Sequence, residues 1–189
     1  TFGLPMEPGQ VVYQGVTKKN RPVVVRYPTM DDVPAMRDYI NTISLERTFI
    51  SYQGEQVTLE EEAKIVEDKI KNFAAHKAVM LTAWCEDKLV GITGLDMGER
   101  IAKHIGNLGI SVAKDYRGEG MGSMLMKLIL EEARKNMPEL EIVTLSVFAT
   151  NDLAIAMYKK FGFVEYGNLP KGAKLPDGYV DHVYMYKIF

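Results

Sequence analysis

Val112-Ala113-Lys114-Asp115-Tyr116-Arg117-Gly118-Glu119-Gly120-Met121-Gly122-Ser123 runs from an apolar strand through a glycine-rich turn into a helix. Upstream, Ile105 to Val112 reads as a strand rich in small residues. Downstream, Met121, Met124, Leu125, Leu128, Ile129 and Ala133 recur at helical spacing until Pro138 stops them. Backbone N–H groups that open a helix, with its dipole behind them, form an anion site. Glycine lets the main chain reach phosphate oxygens without a Cβ in the way. Arg117 adds a permanent positive charge beside the turn. The chain has 16 glycines, an ordinary number, but half of them lie between Gly91 and Gly122.

Two common phosphate loops fit this segment poorly. A Walker loop ends in Gly-Lys-Ser/Thr, and here Gly122-Ser123 lacks the lysine. A dinucleotide fingerprint starting at Gly120 would place Leu125 where its third glycine belongs. An unspecialised glycine turn is the bland alternative. The strand before it and the helix after it count against that reading.

The rest of the chain sets the frame. At 189 residues it is long enough for one domain with a sizeable core. Formal net charge is −2, so no basic bulk field attracts nucleic acid. Cys85 is the single cysteine, which excludes an intrachain disulfide and a multi-cysteine zinc site. With three scattered histidines, a metal site is not expected. Ala78 to Cys85, the most apolar run, is too short to span a membrane. The opening residues lack the layout of a signal peptide, so a cytoplasmic protein is expected.

Strands are predicted over Val11 to Thr17 and Pro22 to Tyr27, around a turn at Lys18 to Arg21. Thr29 reads as a helix N-cap, followed by an apolar face of Val33, Met36, Ile40 and Ile43. Thr58 and Glu61 form a capping box for a second helix reaching about His76. Ala78 to Cys85 and Leu89 to Leu95 make a hairpin. Ile142 to Phe148 is a buried strand, and Ala154 to Phe161 a short helix ended by Gly162. Phe163 to Tyr166 and His182 to Ile188 close the sheet, leaving 167–181 as a loop. This order predicts an α/β (α+β) fold, a mixed, mostly antiparallel central sheet flanked by helices on both faces. Residues 1–21 form a leader, mobile over its first ten residues, and a short strand, and 22–189 form one domain.

Arg117-x-x-Gly120-x-Gly122 after a strand resembles the coenzyme A loop of the GNAT superfamily of N-acetyltransferases. Asn151-Asp152-Leu153-Ala154-Ile155-Ala156-Met157-Tyr158-Lys159-Lys160-Phe161-Gly162-Phe163 is similar to that family's Asn…Ala…Tyr…Gly-Phe block. The resemblance is strongest over about residues 79–165. Within the superfamily it is nearest the ribosomal-protein and small-amine branch. It implies an acetyl-CoA-dependent N-acetyltransferase, and roles follow residue by residue. The backbone of Gly118, Glu119, Gly120, Met121, Gly122 and Ser123 would bind the pyrophosphate, with the Arg117 charge beside it. Ile110, Ser111 and Val112 would present main-chain groups to the pantetheine arm, and Asn151 would hydrogen-bond the pantetheine or acyl region. Tyr158 would be the catalytic acid, a neutral donor that protonates the departing thiolate.

Each role has a bland counterpart. Asn151 is also a suitable helix N-cap. Tyr158 shares a helical face with Ile155 and Phe161, as a core aromatic would. Cys85 reads as core packing. An attacking amine must lose a proton, so a base is needed. The position that carries an acid in some members is Ser146 here, which cannot serve. Glu46, Glu99, His104 and Asp181 stand as candidates. The acceptor is an amine, either a small molecule or a protein N-terminus or lysine. Its site is expected between Glu46 to Gln56 and residues 167–181. Neither nucleic acid nor a membrane is an expected partner, and a homodimer through an exposed sheet edge is possible. The alternative is a catalytically silent CoA-binding sensor or scaffold.

Overall fold

The sheet forms where apolar sequence is densest. In the computed structural model, which describes residues 6–189, β3 (Ala78–Cys85) and β4 (Lys88–Met97) pair antiparallel around Glu86-Asp87. β3 is buried on both faces, as a strand between two helical layers must be. β1 (Val11–Val16) and β2 (Pro22–Arg26) extend the sheet on one side. β5 (Ile105–Val112), β6 (Ile142–Phe148), β7 (Val164–Leu175) and β8 (Gly178–Ile188) extend it on the other. The spatial order is β1-β2-β3-β4-β5-β6-β8-β7.

Every strand pair is antiparallel except β5 with β6. That parallel pairing covers only Ile105–Asn107 against Ile142–Thr144. β5 stays paired with β4 as far as Val112, and β6 with β8 as far as Phe148. The two strands therefore separate beyond Asn107 and Thr144, and the sheet opens into a cleft at its centre.

Four helices cover the sheet: α1 (Val33–Glu46), α2 (Leu59–Ala74), α3 (Met121–Asn136) and α4 (Asp152–Lys160). The Thr58–Glu61 capping box forms as expected. Thr29 caps a single 3-10 turn, Met30–Asp32, which leads directly into α1. α1 and α2 share one face: Tyr39 meets Ser111, and Lys69 pairs with Asp96. Ser111 lies opposite Ile92 in the ladder, and Ile92 and Asp96 point the same way. α3 lies on the other face, where Leu125 packs onto Gly91 and Met121, Leu125 and Ile129 are fully buried. The expected fold class is the one observed.

The C-terminal third differs from the sequence expectation. Residues 167–181 are not a loop but the outer half of a long hairpin, with β7 and β8 joined at Pro176-Asp177. Gly167, Pro170 and Gly172 interrupt any strand-like pattern, which hid the element. Register shifts at Glu165/Gly167 and Leu169/Ala173 absorb these residues as bulges. Residues 1–5 of the expected leader lie outside the described residues. Residues 6–10 are held in place: Met6 is buried, and the Gly9 N–H donates to the Tyr27 carbonyl.

Candidate active site

The glycine-rich turn closes the open end of the cleft. Gly118 and Gly120 take φ of 76° and 83°, the left-handed region that a side chain disfavours. Gly120 occupies the N-cap of α3, and no side chain caps that helix. Its first-turn N–H groups at Met121, Gly122 and Ser123 therefore have no side-chain partner, with the dipole behind them. Gly122 meets Met157 of α4 at ordinary contact distance, Ser123 is exposed, and the Met121 side chain is core. Ile110, Ser111 and Val112 are half-buried at the end of β5, on the edge that β6 has left.

Arg117 does not stand free beside the turn. Its Nε–H donates to the Val112 carbonyl at 2.9 Å, and its Nη2 lies 2.7 Å from Glu46 Oε2 at the end of α1. Glu119 contributes its backbone to the turn but turns its carboxylate inward, where it is fully buried. Asn151 caps α4, its Oδ1 accepting from the Ala154 N–H at 3.2 Å. Tyr158 is buried on α4 against Phe163, ring centroids 6.1 Å apart. Burial pushes its pKa up to about 12, so the hydroxyl keeps its proton at neutral pH.

The four expected base candidates are placed differently. Glu46 is held by Arg117. Asp181 accepts from the Lys171 N–H at 2.9 Å and from Asn168 Nδ2 at 3.1 Å, and these bonds hold its pKa below the usual carboxylate range. Glu99 and His104 flank the start of β5, a strand's length from Val112, roughly 25 Å at 3.3 Å per residue. Cys85 is buried, and burial raises its thiol pKa, which fits core packing. Among the described residues, no group of three or more His, Cys, Asp or Glu is arranged to hold a metal. Among those residues, too, no helix is long and apolar enough to cross a membrane.

Two features escaped the sequence reading, and a third joins segments it singled out. One is the inward carboxylate of Glu119. The second is a row of aromatic side chains on the α1/α2 face: Phe148, His182, Tyr184 and Tyr166 follow one another at 5.3, 5.5 and 6.2 Å between centroids. The alternation of His182, Tyr184 and Tyr186 was its available signal. The third is a groove of about 350 Å³ between Arg47, Thr150 and the hairpin tip at Pro176 to Val180. It joins the two segments from which an acceptor site was expected.

Residues 41–163 match the model of the Acetyltransferase (GNAT) family. That span covers β5 and β6, the glycine-rich turn and the Asn151–Phe163 block, and the chain belongs to this family. It is an acetyl-CoA-dependent acetyltransferase, which sets aside the silent-module alternative. An L-amino acid N-acetyltransferase of Escherichia coli K12 is 32% identical over 109 residues, 57% of this chain and 67% of that protein. A GNAT-family acetyltransferase structure from Streptococcus pneumoniae superposes with a TM-score of 0.82 at 28% identity, covering 88% of this chain and 99% of the other. A ribosomal-protein-alanine N-acetyltransferase from Brucella melitensis gives 0.77 at 25% identity, over 87% and 99%.

Proposed function

We propose that the chain moves acetyl from acetyl-CoA to a primary amine by direct attack within a ternary complex. The observation that carries this reading is the cleft between β5 and β6, with the uncapped start of α3 at its mouth. Backbone N–H groups from Gly118 to Ser123 hold the pyrophosphate. The free edge of Ile110, Ser111 and Val112 takes the pantetheine arm as a pseudo-strand. One of those N–H groups polarises the thioester carbonyl as the amine adds. Asn151 spends its Oδ1 on the α4 cap, so it meets the cofactor through its side-chain N–H₂. Tyr158 donates its proton to the thiolate as the carbon–sulfur bond breaks; the amine's proton passes to water, and water returns a proton to the Tyr158 oxygen to close the cycle.

The acceptor enters from the α1/α2 face, through the groove at Arg47, Thr150 and the hairpin tip. Amino acids, other small amines, protein N-termini and lysines are the classes to test, the first in keeping with the amino-acid relative and the third with the ribosomal-protein relative. The reaction as drawn needs no metal, nucleic acid or membrane. The lone buried cysteine suits a cytoplasmic setting. The exposed β7 edge, with Val164 and Leu169, is the surface for a homodimer, which sedimentation would detect.

The deciding experiment is an amine panel with acetyl-CoA, reading thiol release and acetylated product. At least one class should give saturable, equimolar release, unaffected by a chelator. Tight CoA binding with no transfer to any class would overturn the assignment.

A further inference from the structure

The turn between β1 and β2 grips the glycine-rich loop. The Thr17 hydroxyl donates to Glu119 Oε2 at 2.8 Å, and Arg21 Nη2 lies 2.8 Å from Glu119 Oε1. Lys19 Nζ stands 3.5 Å from the same oxygen. The Lys18 N–H donates to the Glu119 carbonyl at 3.1 Å, and its aliphatic chain lies across Gly120. Arg21 also donates to the Asp115 carbonyl at 3.2 Å and stacks 4.5 Å over the Tyr116 ring. Thr17 Oγ1 accepts from the Lys19 and Arg21 N–H groups, which fixes the turn itself. Residues 17–21 lie outside the 41–163 span that the family model matches.

A buried carboxylate inside a loop that receives a pyrophosphate is an electrostatic liability. Its field opposes the anion through a medium that screens poorly. Left unpaired, it would cost both folding and ligand binding. Arg21 and Lys19 cancel that charge from the side away from the cleft. The same contacts fix the peptide units of Glu119 and Gly120, whose N–H directions set the anion site.

We infer that Thr17, Arg21 and Glu119 form a latch by which the N-terminal hairpin positions the cofactor-phosphate loop and neutralises its buried charge. They are positioning residues, and the inference rests on the pyrophosphate reading of the loop given above. The latch acts on the phosphate end of the donor and not on the thioester.

The test compares acetyl-CoA with S-acetylpantetheine, which has the same thioester but no nucleotide or pyrophosphate. The full chain carries Arg21→Gln, Glu119→Gln, both together, or Thr17→Val. Arg21→Gln should raise KM for acetyl-CoA about 10- to 100-fold with kcat within about twofold. Its kcat/KM for S-acetylpantetheine should stay within about twofold of wild type on the same grounds. Arg21→Lys should recover most of the loss. The double variant should bind acetyl-CoA better than Arg21→Gln alone, because no uncancelled charge remains. Equal losses with both donors, or a double variant no better than Arg21→Gln, would overturn the latch. Should Arg21→Gln fail to fold, Thr17→Val keeps every charge and should raise KM for acetyl-CoA alone by about three- to fivefold; no donor-selective change there also overturns it. If wild type uses the two donors equally well, the pyrophosphate reading itself falls, and the latch with it.

Discussion

Glu46 Oε2 lies 2.7 Å from Arg117 Nη2, tying the last turn of α1 to the head of the glycine-rich turn. Two residues with separate roles in a linear reading, a base and a phosphate cation, are partners in the folded chain. Glu46→Gln should therefore loosen cofactor binding and spare the chemistry. KM for acetyl-CoA is expected to rise about three- to tenfold, the worth of a partly exposed ion pair, with kcat little changed from pH 6 to 9. A fall in kcat of about 10²-fold or more, relieved at high pH, would instead make Glu46 the base.

Tyr158 offers a sharper test. Tyr158→Phe removes the proton and keeps the ring against Phe163, so kcat should drop by about 10²- to 10⁴-fold with binding intact. With its pKa raised by burial to about 12, the tyrosine should impose no descending limb on kcat below about pH 11. The same shift has a stability consequence. Its folded pKa exceeds the unfolded value of 10.0, so the contribution is complete below pH 10 and lost as pH rises toward 12. Alkaline unfolding of Tyr158→Phe should accordingly be less steep in that window.

Gly120 and Gly122 separate backbone strain from simple crowding. Gly120 has φ 83°, and a Cβ there would stand 3.1 Å from Lys18 Cε. Gly120→Ala should cost about 1–2 kcal/mol of stability and most of the affinity for CoA. Gly122 sits in the first helical turn, where a Cβ meets only the Met157 side chain, at 3.4 Å from Sδ. Gly122→Ala should melt at or slightly above the wild-type temperature. Equal melting temperatures for the two variants, by calorimetry, would contradict this account.

Asp32 predicts the acid limb of stability. Burial raises its pKa, but the hydrogen bonds from Arg26 and Thr29 outweigh burial and hold it below its ordinary 3.8. Its contribution is present above that value and disappears as pH falls through the lower folded value. Asp32→Asn should destabilise by about 1–3 kcal/mol at pH 7 and by less near pH 3. Urea titrations at the two pH values measure the difference; a constant penalty would show that charge is not involved.

The sequence by itself determined the local elements and the class of fold. Capping at Thr58, helical apolar spacing from Met121 to Ala133, and the strand–glycine–helix order of Val112 to Ser123 are short-range signals, carried by propensity and periodicity within one segment. They were enough to place the glycine-rich turn before α3, Asn151 at the start of α4 and Tyr158 within it. The outer half of the β7–β8 hairpin stayed hidden because its strands are held by each other across bulges, not by a pattern in either one. Tertiary structure alone decided which charges are spent. Arg117 is paired with Glu46 across 71 positions of chain, and Glu119 is turned inward to Thr17 across 102. Nothing local specifies such partners: an ion pair depends on where two distant backbones meet, and burial depends on everything packed around them. The cleft has the same origin, since β5 and β6 part where β5 stays with β4 and β6 with β8, partners distant in the chain.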